Sequence, residues 1–424
     1  MREMKDSGVE WLGDIPETWE LVQLGSLFSE HKKKNTGMQS NNLLSLSYGK
    51  IIRKDINTSD GLLPESFEGY NVIDEGDIVL RLTDLQNDQR SLRVGLSPEK
   101  GIVTSAYVTL RKRNSAMNSH FFYYLIHSYD MRKGFYGMGA GVRQGLNFAG
   151  VRKIMLPLPP VEVQNAIASL LKEELDKVDA LISNNHAQIE KLKAYKQSLI
   201  TEVVTKGLDP TVTMKDSGVE WLGQVPEHWG VHRIANLYEE RSENGLPELP
   251  ILTVSINTGV SDHEIADKEK DRVFIRMEDR TKYKRVYPGD LTYNMMRAWQ
   301  GAFGAVRVDG LVSPAYVVAK PKKTIPLDSR YIEALLRTPV AIEEMHRYSR
   351  GIIDFRLRLY WPEFKNIRIC LPSIEEQCKI ADYIDEITSK VDALIAVKQS
   401  KIEKLEQYKK SLIYEYVTGK REVS

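Results

Sequence analysis

The chain has 424 residues, 42% of them hydrophobic and 28% charged, which is too long for one small module and too apolar for a disordered protein, so about two to four folded units are expected. Its 59 Lys plus Arg against 58 Asp plus Glu leave a net charge of +1, so no overall basic field announces a nucleic-acid partner and any anion-binding surface must be local. No run reaches the roughly 18 apolar residues of a membrane span, the charged start is no secretory signal, and Cys370 and Cys378 are too few for a disulfide framework or zinc site; a soluble cytoplasmic protein is expected.

The first element is a compact opening, MKDSGVEWLG from Met4, followed by Pro16, Glu17 and Trp19; Trp11 and Trp19 read as packing anchors. The run His31-Lys-Lys-Lys34 interrupts a strand-like pattern, so Lys32, Lys33 and Lys34 are expected on an exposed loop as candidate phosphate contacts, a solvated surface being the alternative. GDIVL at Gly76 to Leu80 reads as a turn opening a strand, and the polar segment Arg81 to Gln86 after it makes Arg81 a candidate for base readout. TSAYVTLR from Thr104 alternates as a strand, the basic cluster Arg111 to Arg113 overlaps its end, and a helical stretch follows from Asn118. The glycine-rich run Gly134 to Gly145 follows a helix and lacks GxGxxG spacing, which argues against a dinucleotide loop. It presents Arg143 and Gln144, with Asn147 just beyond, as candidate base contacts against the alternative of a plain turn, because Arg and Gln forks match purine edges in the major groove.

From Leu158, LPPVEVQNAIASLL opens a long helix behind Pro159 and Pro160. Leu171, Leu175, Val178, Ile182, Ile189, Leu192, Leu199 and Val203 trace a coiled-coil seam broken at Asn185 and Lys196. About 43 residues make a rod of roughly 64 Å, ending near Gly207. A rod with one apolar stripe needs a partner.

The chain then begins again. MKDSGVEWLG recurs without change from Met214, 210 residues on, with Pro226, Glu227 and Trp229 behind it and Trp221 and Trp229 as the matching anchors. The second half follows the same plan with other residues. Lys282 and Arg285 are candidate phosphate contacts, GDLTY from Gly289 repeats the turn and strand, and Asn294, Arg297 and Gln300 are candidate readout groups beside Trp299, itself expected in the core. SPAYVVAK from Ser313 is a strand leading into the basic cluster Lys320 to Lys323, DSRYIEALLRTPVAIEEM is a helical stretch, and Arg350, Arg356 and Arg358 in the basic loop after it are candidate base contacts, a solvated basic loop being the alternative.

LPSIEEQCKIADYI from Leu371 restores the shared tail, now 213 residues on, with Ser373 and Glu376 at capping-box spacing. Its seam runs through Ile384, Val391, Ile395, Ile402, Leu405, Leu412 and Tyr416, breaks at Lys398 and Lys409, and exits near Gly419. The two tails are expected to pack antiparallel about a pseudo-twofold axis, separate oligomeric coiled coils being the alternative. The expected fold class is α+β, with two similar globular α/β domains separated by a long antiparallel two-helix coiled-coil spacer. The expected boundaries are 1–158 and 209–371 for the domains and 159–208 and 372–424 for the helices.

The sequence contains no GxxxxGK[ST], HExxH or GxSxG motif, which argues against a phosphate loop, a zinc protease or a serine hydrolase. The repeated SGVEWLG-x-[IV]-P-E-x-W opening, the G-D-[IL] turn and the LP-x-x-E-x-Q-x-x-IA…VDALI…IEKL…K-x-SLI tail resemble the specificity subunit of type I restriction-modification systems, over essentially the whole chain, twice. The resemblance implies a non-catalytic subunit whose two target-recognition domains each read one half of a split, asymmetric double-stranded DNA sequence. It implies two methyltransferase subunits that modify adenine at N6 with S-adenosylmethionine, and restriction/translocase subunits that use ATP and Mg2+, none of these cofactors being held by this chain. A free-standing DNA-binding protein and a coiled-coil scaffold with protein-binding heads are the alternatives.

Overall fold

The structure, a computed structural model, describes residues 2–57, 64, 66–85, 92–136, 138, 145–264, 279–351 and 357–423. The chain packs into two units, Met1–His186 with Gln399–Ser424, and Ala187–Lys398. Among the described residues, no helix is long and apolar enough to cross a membrane.

In the first unit the opening folds as a hairpin, Met4–Asp6 against Asp14–Pro16, its turn tied by the Ser7 hydroxyl accepting from the Val9 N–H at 3.1 Å. Trp19 is 1% exposed, and Trp11 is half-buried edge-on to Tyr129 at 5.0 Å, so both anchor the core. Strands β1 (Phe28–Glu30), β2 (Ile78–Leu80), β3 (Val94–Leu96) and β4 (Val108–Lys112) form an antiparallel sheet in the order β3-β2-β4-β1. Helix α1 (Ser119–Met131) packs against β3 through an apolar face containing Phe121, Phe122 and Leu125, and Asn118 caps it by accepting from the His120 and Phe121 N–H groups. A smaller sheet joins Gly101–Val103, Asn71–Ile73 and Lys33–Lys34.

That last strand corrects the expected loop. Lys33 and Lys34 lie opposite Val72 and Asn71 on a sheet edge, where lysine is a favoured residue because its charge discourages a further strand from adding. The charge run hides the alternation that would have marked the strand.

The second unit repeats the architecture. Its hairpin pairs Met214–Asp216 with Gln224–Pro226. Two more tryptophans sit here: Trp229 is 1% exposed, and the half-buried Trp221 donates from its indole to the Arg368 carbonyl at 3.1 Å. Helix α2 (Val161–Lys206), the first tail, precedes this hairpin, and its residues from Ala187 onward belong to this unit. Strands β5 (Tyr238–Arg241), β6 (Leu291–Asn294), β7 (Phe303–Ala305) and β8 (Tyr316–Pro321) take the order β5-β8-β6-β7, which is the first unit's order read from the other edge. The helical stretch expected as one piece is two, α3 (Ser329–Leu336) and α4 (Pro339–Tyr348). Pro339 cannot donate to the preceding turn and forces Thr338 to an extended ψ of 149°, from which its hydroxyl caps α4 by accepting from the Ala341 N–H.

The second tail is one helix as well, α5 (Ile374–Val417). The tails start the same way. Gln164 and Gln377, each 1% exposed, donate to the carbonyls of Pro159 (2.8 Å) and Pro372 (3.0 Å) and accept from the N–H groups of Asn118 (3.1 Å) and Asp328 (3.0 Å). Asn118 and Asp328 are the caps of α1 and α3, so the shared glutamine fastens each long helix to its unit's own short one. Only half of the capping box forms: Ser373 accepts from the Glu376 N–H at 3.2 Å, while the Glu376 carboxylate turns to the Trp229 indole (3.2 Å) and to His228 (2.9 Å).

Inside each unit the long helices pair antiparallel along the expected seam. In the first unit Leu171 and Leu175 share one core with Leu412, Ile413 and Tyr416; in the second, Val203 shares one with Ile380 and Ile384. The seam lysines reach across: Lys409 to Asp179 in the first unit and Lys196 to Asp392 in the second, both at 2.5 Å. Lys398 bonds Gln188, and Asn185 turns back on the Leu181 carbonyl at 2.7 Å. Gly207 and Gly419 end the helices with φ of +79° and +74°, a left-handed conformation that glycine adopts without penalty.

Candidate nucleic-acid interface

Each unit builds its candidate surface on the G-D turn. Gly76 and Gly289 take φ of +83° and +89°, and the following Asp77 (4% exposed) and Asp290 (1%) fold back to accept from the N–H groups of Asp74 and Tyr287. Both carboxylates hold a guanidinium, but from different strands. Asp77 takes Arg111 of β4 at 2.5 Å, whereas Asp290 takes Arg241 of β5 at 3.1 Å, and Lys320, in the basic cluster on β8, faces Glu239 at 3.4 Å. The cluster Arg111 to Arg113 is therefore engaged by the unit itself: Lys112 donates to the Ser115 and Met117 carbonyls, and the exposed Arg113 to those of Gly25 and Phe28.

Beyond the turn, the strand runs into a loop that meets the segment following the unit's short helix. In the first unit the Leu146 N–H donates to the Leu82 carbonyl, and in the second the Leu359 N–H donates to that of Met295, both at 2.9 Å. Two stretches far apart in sequence become neighbours, so Arg297 and Gln300 share a place with Arg350 and Arg358. The latter pair exchange backbone hydrogen bonds at 2.9 Å in both directions.

A residue that sequence reasoning missed holds the first unit's loop. Arg93 is 0% exposed. Its backbone N–H donates to Asp130 of α1 at 2.6 Å, and its guanidinium donates to the carbonyls of Arg81 (3.2 Å), Thr83 (2.7 Å) and Asp84 (3.2 Å) and to the Tyr136 hydroxyl (3.1 Å). The only signal in the sequence is a basic residue leading straight into an apolar strand. Burial pushes the Asp130 carboxyl up to about 6, against the opposing pull of Arg93 and Lys133. On the same helix, burial and then Lys409 push His127 down to about 4.

Residues 16–194 match the family model of the type I restriction modification DNA specificity domain. The chain is 26% identical to the type I restriction enzyme MjaVIII specificity subunit of Methanocaldococcus jannaschii, covering 96% of this chain and 93% of that one. The fold is shared with a chain from a solved type I R-M system (TM-score 0.68, 16% identity, 95% of this chain and 98% of that one). It is also shared with the HsdS subunit from Thermoanaerobacter tengcongensis (TM-score 0.51, 16% identity, 96% and 98%). The chain is thus similar to the type I restriction-modification specificity subunits, over residues 16–194 by the family model and over most of its length by the relatives.

The candidate DNA-contacting residues divide by what already occupies them. Asn294 is 8% exposed and accepts from the Met296 N–H at 3.0 Å, so it shapes the loop and does not face outward. Asn147 is exposed but caps a single helical turn, Phe148–Val151, through the Gly150 N–H. Lys32 pairs with Glu30 at 2.9 Å, Lys34 donates to the Gly69 carbonyl at 2.8 Å, and Lys282 lies 3.7 Å from Asp279. Arg285 stacks on Tyr287 at 4.5 Å and approaches Asp309 at 3.9 Å, while Arg350 pairs with Glu363 at 2.5 Å. Arg81 is half-exposed at the start of the Arg93-held loop. The side chains of Lys33, Arg297, Gln300 and Arg358 make no hydrogen bond or ion pair among the described residues. Trp299 is half-buried, its indole donating to the Met296 carbonyl and its ring edge-on to His346 at 5.8 Å. Arg143, Gln144 and Arg356 lie outside the described residues.

Proposed function

We propose that this subunit is non-catalytic and reads a split, asymmetric DNA sequence, one half through residues 1–158 and the other through 209–371, with 159–208 and 372–424 as the spacer helices. What carries this reading is the contrast within each unit. The hairpin, strand order, G-D turn and glutamine fastening are common to both, while the loops beyond β2 and β6 carry unlike side chains. Phosphate contacts alone do not distinguish sequences, so unlike loops on a common frame suit two unlike half-sites. Arg297, Gln300 and Arg358 are the base-contacting candidates of the second unit, Arg81, Arg143 and Gln144 those of the first, and Lys33 a phosphate contact.

In this reading the repeated surfaces dock two methyltransferase subunits that modify adenine at N6, and restriction/translocase subunits join them. S-adenosylmethionine, ATP and Mg2+ then belong to those partners, and the assembly acts on cytoplasmic DNA. The test is a genome-wide N6-methyladenine map from cells carrying the partner methyltransferase, with and without this chain. A split asymmetric motif that appears only with the chain is expected. Identical maps, with both proteins expressed, would rule the reading out in favour of a free-standing DNA-binding protein.

A further inference from the structure

Arg93 occupies an unusual position for a buried arginine. Three of its guanidinium bonds go to consecutive or near-consecutive main-chain carbonyls of one loop, those of Arg81, Thr83 and Asp84. A fourth goes to Tyr136, on whose ring the guanidinium also stacks at 5.2 Å. The Arg81 N–H in turn donates to the Arg93 carbonyl at 2.9 Å, and the Arg93 N–H is held by Asp130 of α1. The planar fork thus joins the loop beyond β2 to the segment beyond α1, the two stretches on which the first unit carries its candidate readout groups. Asp84 is held in this loop at φ +57°, a left-handed conformation uncommon for a residue with a side chain, which needs surrounding contacts to persist.

The second unit does this differently. The residue at the matching place before β7 is Ala302, and its loop is shaped by the Asn294 side chain and by the Ala302 N–H donating to the Arg297 carbonyl at 3.2 Å. A change at Arg93 therefore has an internal control in the same chain.

We infer that Arg93 is a positioning residue for target choice: by clamping the Arg81–Asp84 backbone to Tyr136 it sets the geometry with which the first unit reads its half-site, without touching DNA itself. This rests on the split-target reading above. The donors of a guanidinium lie in a fixed plane and reach several carbonyls at once, whereas an ammonium is a single point, so lysine cannot reproduce the clamp even though it keeps the charge.

The experiment maps N6-methyladenine genome-wide in cells carrying the partner methyltransferase with the full chain, or with Arg93→Lys, Arg93→Met or Tyr136→Phe. Expected for Arg93→Lys is a motif whose one half becomes degenerate, with discrimination at one or more of its positions falling about tenfold, while the other half stays as sharp as before. Tyr136→Phe, which removes one acceptor, should give a weaker version in the same half. Overturning results are a motif unchanged in both halves for Arg93→Lys and Tyr136→Phe, or both halves weakening in proportion to the loss of soluble protein. If Arg93→Met abolishes methylation and the two milder variants leave both halves intact, Arg93 serves folding only and the inference fails. Failure of the underlying reading looks different: the unmodified chain itself would yield no split motif.

Discussion

Arg297 and Lys33 both end in cations that meet no hydrogen-bond or ion-pair partner among the described residues, yet their surroundings assign them different work. Arg297 sits just before a short helical turn, Ala298–Gln300, beyond the end of a strand, where a planar fork can meet a base edge, whereas Lys33 is a flexible point charge on a sheet edge. Arg297→Ala is expected to relax preference at one base of the second unit's half-site by about 1–3 kcal/mol, read from binding to a panel of single-base variants by the assembled complex. Lys33→Ala should weaken binding to all sequences alike and lower the salt slope by about one. The reverse pattern would exchange their roles. Two buried groups on α1 give a prediction of another kind. Because His127 is pushed from 6.5 down to about 4, the unfolded chain binds a proton in that window that the folded chain refuses, and stability is lost as pH falls through it. Asp130, raised from 3.8 to about 6, holds a proton in the folded chain first, so its contribution grows as pH falls. The two offset each other. Relative to the unmodified chain, His127→Gln should gain stability on going from pH 7 to pH 5, and Asp130→Asn should lose it, each by on the order of 1–2 kcal/mol in urea unfolding. Shifts of the same sign in both variants would contradict this account.

The glutamine fastenings set the strength of whole elements. Gln164→Leu keeps the side-chain bulk but strands the part-buried Asn118 N–H and the buried Pro159 carbonyl, and about 2–4 kcal/mol of stability should go with them, measurable by urea unfolding against the unmodified chain. A cost under about 0.5 kcal/mol would mean that water or neighbouring groups satisfy both. Elements also differ in how far they are legible in the sequence. The long helices are readable because a heptad period and a proline start are local signals, and Asn185, Lys196 and Lys409 appear in the pattern as breaks even though their bonding partners do not. The loops are much less readable. A polar side chain beside a strand looks the same whether it faces water, as Arg297 partly does, or closes a turn beneath the surface, as Asn294 does. Arg93 reads as an ordinary charge at the edge of a strand, because the three carbonyls that justify burying it come together only once the strand is paired with β2. Pro339 breaks the helix, yet DSRYIEALLRTPVAIEEM reads as one helical stretch because apolar residues recur on both sides of it.

At the scale of the molecule, the proposed spacer role makes the long helices a measure of distance. Inserting one heptad into α2 adds about 10 Å of helix, and the gap between the halves of the methylated motif should widen by roughly three base pairs. An unchanged gap would show that helix length does not set it. The seam carries one further regularity: Lys409 with Asp179, and Lys196 with Asp392, are the same two motif positions meeting once in each unit. Exposed in part and facing water, such pairs add little stability, and their value lies in fixing register. The glutamine fastening has a different kind of consequence. Gln164 and Gln377 hold only main-chain groups, and every residue except proline offers the same N–H and carbonyl whatever its side chain. Mutation can therefore rewrite the loops beyond β2 and β6 without loosening the frame that carries them. On the split-target reading, a lineage bearing this chain can acquire a new target in few steps while the surface proposed to meet its enzyme partners stays unaltered.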